Sequence, residues 1–117
     1  APTVRERDGL ALSSRNVYLD EQQRRSARDI PVALRAAERL FDGGERGAGA
    51  LVEAVELVLR RNPDLGVEYV GVADPDTLEP VDQAQVGSLL MVAARVGTTR
   101  LLDNVWLGRP EYGTGLE

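Results

Sequence analysis

The sequence predicts an α+β domain, with an N-terminal loop and helices packed on a three-stranded antiparallel sheet. Three observations lead there. Apolar residues recur at helical spacing between residues 30 and 61. Beyond Pro63 the pattern changes to short runs rich in Val, Leu and Tyr. Those runs are separated by turn-forming segments, the last of them short enough for a hairpin.

Residues 1–19 show little periodicity and are expected to form a loop, with turn signals at Pro2 and Asp8-Gly9. Asp20 reads as a helix N-cap, and Gln23 three residues on completes a capping box. A short polar helix then runs to about Arg28. Asp29-Ile30-Pro31 restarts the pattern, with Asp29 as the expected cap and Pro tolerated in a first turn. Ile30, Leu34, Ala37, Leu40 and Phe41 form one apolar face, and Gly43-Gly44 ends the helix. A further helix over residues 48–61 presents Leu51, Val52, Val55, Val58 and Leu59, and Asn62-Pro63 stops it.

Residues 67–73 read as a strand. A turn-rich connection follows, to Gly87. Residues 89–94 are almost continuously apolar, which predicts a central strand. Gly97-Thr98 is a hairpin turn into a third strand over residues 99–107. From Gly108 the composition turns to Gly, Pro and Thr, so residues 109–117 are expected to be a flexible tail and residues 1–108 the domain.

Composition narrows the chemistry. The 117 residues are 43% hydrophobic and 28% charged, the balance of one folded domain rather than a disordered chain. There is no Cys, hence no disulfide framework and no thiolate metal site. There is no His, hence no imidazole base or zinc ligand. All 14 basic residues are Arg, which excludes a Lys Schiff base within this chain. The net charge of −5 argues against nonspecific nucleic-acid binding. No apolar run approaches a membrane span of ~18 residues, and residues 1–8 are too polar for a signal peptide, so a cytoplasmic location is expected.

The most distinctive stretch is Asp8-Gly9-Leu10-Ala11-Leu12-Ser13-Ser14-Arg15-Asn16. It sets two hydroxyls and a guanidinium directly after an apolar strip. Hydroxyls bond phosphate oxygens, and Arg neutralises them through two parallel bonds. On spacing alone, the favoured reading is a turn capped by Ser13 or Ser14 with Arg15 on a surface carboxylate, since these are common loop residues. Asp74, Asp76, Glu79 and Asp82 read as a solvated turn, without calcium-loop spacing. Arg95, Arg100 and Asp103 are expected to form cross-strand pairs, and Trp106 to pack in the core or on the sheet face. Arg24, Arg25 and Arg28, beside Asp20 and Glu21, read as a solvated helix face.

Two blocks carry a family resemblance. Pro2-Thr3-Val4-Arg5-Glu6, with the stretch from Asp8 to Asn16 and Tyr18-Leu19, resembles the start of the C-terminal domain of the pantothenate synthetases, the pantoate–β-alanine ligases. Leu90, Val92-Ala93-Ala94-Arg95, Gly97-Thr98-Thr99-Arg100-Leu101 and Asp103-Asn104 resemble the closing hairpin of that domain. The resemblance implies an ATP-binding lid of a ligase that condenses pantoate with β-alanine through a pantoyl adenylate, with Mg2+ accompanying ATP in the complete enzyme. It implies that Ser13, Ser14 and Arg15 contact the ATP phosphates and stabilise charge as pyrophosphate departs. It further implies that Val4 and Leu12 lie along the adenine, Leu12 standing where the family usually has Met. The family's Rossmann-like half carries two His and a Lys, which this chain lacks. The resemblance therefore implies the C-terminal domain alone, inactive by itself, from an enzyme expected to be a homodimer. Two other readings stay open: a non-catalytic binding or oligomerisation module of the same fold, and adenylate chemistry on a different acid.

Overall fold

The structure, a computed structural model, describes residues 20–108. The expected N-terminal loop and C-terminal tail lie outside the described residues. Among the described residues three helices precede three strands, and the sheet is antiparallel in the order β1-β2-β3.

Helix α1 (Glu21–Ala27) opens with the expected capping box. Asp20 Oδ1 accepts from the Gln23 amide at 2.8 Å, and Gln23 Oε1 accepts from the Asp20 amide at 3.1 Å. Helix α2 (Asp29–Asp42) follows after Arg28 alone. The expected cap at Asp29 is not formed. Arg28 is the N-cap residue, its backbone is already helical, and no side chain caps the amides. The extended conformation that a side-chain cap needs has no room between two nearly continuous helices. The Asp29 carboxylate instead accepts from Asn62 Nδ2 at 3.0 Å, tying the start of α2 to the end of α3.

On α2, Ile30, Ala33, Leu34, Ala37 and Phe41 are buried. Leu40, expected on that face, is 42% exposed. At 100° per residue it stands about 90° from the centre of the buried stripe. The helix ends at Gly43, where the Arg46 guanidinium closes the terminus. It donates to the Phe41 carbonyl at 2.6 Å and lies 3.9 Å over the Phe41 ring. Helix α3 (Ala48–Arg60) buries Leu51, Val55 and Leu59, while Val52 and Val58 are half-buried.

Strand β1 (Leu65–Ala73) begins two residues before the expected start. Strands β2 (Leu89–Val96) and β3 (Thr99–Trp106) form the hairpin, with β2 central as its apolar run required. Gly97 holds φ +60 at the first turn position, the geometry of a type II′ hairpin that glycine adopts without strain. Val72, Leu90, Val92, Ala94, Val96, Leu101 and Val105 face α2 and α3 and join them in one core. The connection from β1 to β2 is pinned at both ends. Ala73 bridges Pro80, while the Ala48 amide donates to the Asp82 carbonyl and the Ala84 amide to the Arg46 carbonyl.

Candidate functional site

The residues singled out as phosphate- and adenine-facing, Val4, Leu12, Ser13, Ser14 and Arg15, lie outside the described residues. The described part of the chain starts at Asp20, where it enters α1. The Gln23 side chain rests on the β2–β3 turn, its Nε2 2.6 Å from where a Cβ on Gly97 would stand. The positive φ of +60 favours glycine there, and a Cβ would have to push the end of the Gln23 side chain aside. A depression of about 380 Å³ opens beside it, lined by Asp20, Gln22, Gln23, Ser26, Asp64, Val96 and Gly97. Its floor is polar. Asp64 Oδ2 accepts from Ser26 Oγ at 3.3 Å and from Gln22 Nε2 at 3.5 Å. Capping box, glycine turn and Asp64 together hold the start of α1 against the β2–β3 turn.

The second feature lies on the sheet face opposite the helices. A register shift between Val67 and Tyr69 makes Glu68 the extra residue of a β-bulge. Its carboxylate takes Arg95 Nη2 at 2.9 Å and Arg95 Nε at 3.0 Å on Oε2, and Arg100 Nε at 2.6 Å on Oε1. The hydrogen bonds from Arg100 and Arg95 hold the Glu68 carboxyl below its ordinary pKa. This corrects the expected pairing. Arg95 and Arg100 face each other across β2 and β3, but Asp103 is not the acid between them. Asp103 opposes Val92 on the helix-facing side and is 6% exposed, and its Oδ1 accepts from the Asn104 amide at 2.7 Å. The period of a strand puts residues 100 and 103 on opposite faces, so one sheet side cannot hold both. Sequence reasoning missed Glu68, because a bulge is set by pairing register rather than by residue type.

At the other end of that face, Trp106 is half-buried and borders a depression of about 540 Å³ with Asp74, Asp76, Gln83, Gln85 and Ser88. The acidic segment is a turn, as expected. Asp74 Oδ1 accepts from the amides of Asp76 at 2.8 Å and Thr77 at 3.1 Å. On α1, Arg25 pairs with Glu21 at 3.7 Å on the solvated face. Among the described residues no group of three or more acidic, His or Cys side chains could hold a metal ion, and no helix is long and apolar enough to cross a membrane.

Comparison with known proteins supplies what these surfaces alone do not. Residues 1–106 match the family model for pantoate-β-alanine ligase. The chain belongs to the pantoate–β-alanine ligase family. It is 53% identical over 109 residues to the bifunctional pantoate ligase/cytidylate kinase of Gloeobacter violaceus, covering 92% of this chain and 21% of that protein. It is 44% identical to the pantothenate synthetase of Thermoanaerobacter sp. over 108 residues, covering 92% of this chain and 38% of the relative. The crystal structure of pantothenate synthetase from Thermus thermophilus superposes with TM-score 0.85 at 38% identity, over 92% of this chain and 38% of that one. The pantoate-β-alanine ligase of Francisella tularensis, solved with β-γ ATP and β-alanine, shares the fold at 21% identity and TM-score 0.52. The chain thus spans between about a fifth and two fifths of the length of these ligase relatives.

Proposed function

We propose that residues 1–108 are the C-terminal, ATP-facing lid of a ligase that joins pantoate to β-alanine through a pantoyl adenylate. The observation that carries this reading is the family match over residues 1–106, which includes the whole stretch from Asp8 to Asn16. The Francisella relative, alike in fold, is a complex with β-γ ATP and β-alanine, in keeping with a nucleotide-dependent ligation. Pantoate, homodimer formation and a magnesium ion travelling with ATP belong to the same proposal, as does a cytoplasmic setting.

In this reading the Ser13 and Ser14 hydroxyls donate to phosphate oxygens, and Arg15 spans two of them. As the pantoate carboxylate attacks the α-phosphate and pyrophosphate leaves, these donors stabilise the charge that gathers on the departing oxygens. None of the three acts as a nucleophile. Backbone at Val4 and Leu12 borders the adenine, and Leu12, apolar and unbranched at Cβ like the family's usual Met, preserves such a backbone contact. Five peptide units join Arg15 to Asp20, a tether of at most ~18 Å. The capping box and the Gln23 contact hold the start of α1, which this stretch leads into, against the Gly97 turn. Closing the lid excludes water from the acyl adenylate until the β-alanine amine attacks it. With no His and no Lys of its own, the chain is expected to show no turnover alone.

The test is a chimera in which this chain replaces the matching part of the Thermus thermophilus pantothenate synthetase. Pantoate-dependent ATP–pyrophosphate exchange is measured with and without Arg15→Ala. Exchange that falls by about 10²–10³-fold, the range for losing one transition-state donor, supports the role of Arg15. Undiminished exchange demotes Arg15 to a structural residue. A folded chimera without exchange refutes the ligase reading.

A further inference from the structure

The junction between α1 and α2 lacks one rung of the helical hydrogen-bond ladder. Pro31, the third residue of α2, has no amide hydrogen, so it cannot donate to the carbonyl of Ala27, the last residue of α1. Past that point the chain is held firmly. Ile30 and Pro31 are buried, and the Asp29 carboxylate takes Asn62 Nδ2 at 3.0 Å. Before it the hold is slighter. The buried residues of α1 are Ser26 and Ala27, whereas α2 buries six, Leu34 and Phe41 among them. Ser26 Oγ and Gln22 Nε2 donate to the Asp64 carboxylate at 3.3 Å and 3.5 Å, and Gln23 leans on the Gly97 turn. Seven residues are too few for a helix to stand alone in water, where about 12 are needed. Helix α1 therefore persists because it is capped and docked.

The seam under α1 is open. The depression of about 380 Å³ has α1 side chains on one side and Asp64, Val96 and Gly97 on the other. Water entering it competes for the Asp64 carboxylate, and the two bonds it would replace are long ones. We propose that α1 is a hinged flap, which swings off the β2–β3 turn about the Arg28–Pro31 junction while α2, α3 and the sheet stay folded. Arg28 caps both helices, at φ −64 and ψ −16, and a change of its backbone angles redirects α1 without touching the core. The missing rung at Pro31 leaves one bond fewer to oppose that change.

The use of this flap rests on the ligase reading. The stretch from Asp8 to Asn16 leads into α1, so a swing of α1 moves the point at which that stretch is attached. Elements that move on ligand binding come from the least stable parts of a fold, where opening is reversible and leaves the core intact. The swing itself needs no ligand and is read on the chain alone, so a chimera without ligase activity leaves it standing.

Native-state hydrogen exchange, followed by NMR on the 117-residue chain, measures the opening. The amides of Arg24 and Arg28, bonded to the carbonyls of Asp20 and Arg24, report on α1. Relative to their intrinsic rates they should exchange at least about 100-fold faster than those of Leu34 and Ala37 on α2, and with little dependence on denaturant. Asp64→Ala removes the acceptor shared by Gln22 and Ser26, and should speed the α1 amides about tenfold further while α2 and the sheet keep their rates. Pro31→Ala supplies the missing amide and should slow the α1 amides about fivefold, a gain in protection that a damaged fold does not give. Exchange of α1 and α2 together, with the same denaturant dependence, overturns the proposal. So does Asp64→Ala speeding α2 and the sheet as much as α1, or Pro31→Ala leaving α1 as it was.

Discussion

Replacing Asn62 by Asp changes one side-chain atom and reverses the bond that joins the end of α3 to the start of α2. In the native chain Asn62 Nδ2 donates to Asp29 Oδ2 at 3.0 Å, in a half-buried position, while Asn62 Oδ1 accepts from the Asp64 amide at 2.9 Å. Asn62→Asp keeps the acceptor and removes the donor. The lost bond to a charged group costs about 1.5 kcal/mol. Two carboxylates then face each other; at ~4 Å and an effective dielectric of ~20 the repulsion is ~4 kcal/mol before solvent relaxes it. Half-exposed charges retain less than half of that, so the substitution costs about 3 kcal/mol in all. Asn62→Ala loses this bond and also the one from the Asp64 amide, without adding charge, and costs about 2.5 kcal/mol. For a chain of this length ~4 °C of Tm accompanies each kcal/mol, so thermal denaturation at pH 7 should show falls of about 12 °C and about 10 °C. The decisive variant is the exchange Asp29→Asn with Asn62→Asp, which re-forms the bond with donor and acceptor swapped. It should recover to within about 1 kcal/mol of native, the remainder being the lost interaction of Asp29 with the helix N-terminus. If Asn62→Asp costs no more than Asn62→Ala, or the exchange recovers nothing, the Asn62–Asp29 bond does not join the two helices as argued.

Leu34→Ala empties a fully buried position between α2 and the sheet, and urea denaturation should show a loss of about 3 kcal/mol. Leu78 holds φ +62 in the turn after β1 with its side chain 61% exposed, so Leu78→Gly should raise stability by about 0.5–1 kcal/mol. An unchanged or lower Tm would show that another contact requires Leu78. Glu68, its pKa lowered by Arg100 and Arg95, contributes stability that is present above its unfolded pKa and lost as pH falls through the lower folded value. Glu68→Gln should therefore flatten the acid limb of the stability–pH curve, read by denaturation at stepped pH. Gly97→Val combines a strained positive φ with a clash against Gln23, and should both lower Tm and loosen α1, seen as faster amide exchange over residues 21–27.

Much of this architecture is legible in the sequence alone. Hydrophobic period separates α2 and α3 from the strands. The capping pattern of Asp20 and Gln23 and the Gly97-Thr98 turn are short-range signals, satisfied by residues within a few positions of each other. The central place of β2 follows from its unbroken apolar run, because a strand paired on both sides meets little water. The motif from Asp8 to Asn16 and the closing hairpin likewise point to the ligase family, which the match over residues 1–106 shows. The candidate phosphate residues Ser13, Ser14 and Arg15 rest on that motif alone.

What escaped was everything that depends on residues far apart in sequence. Asp29 reads as a cap until Asn62, 33 positions away, arrives to take its carboxylate. Leu40 belongs to the apolar pattern of α2 but lies at the edge of the face the sheet covers. Glu68 becomes the anchor of Arg95 and Arg100 only because a bulge of one residue turns it onto their side of the sheet. Local backbone preference and period act over one or two turns and are written in neighbouring residues. Pairing register and the choice of partner for a charge are settled by whichever distant segment packs alongside, and that is a property of the folded chain.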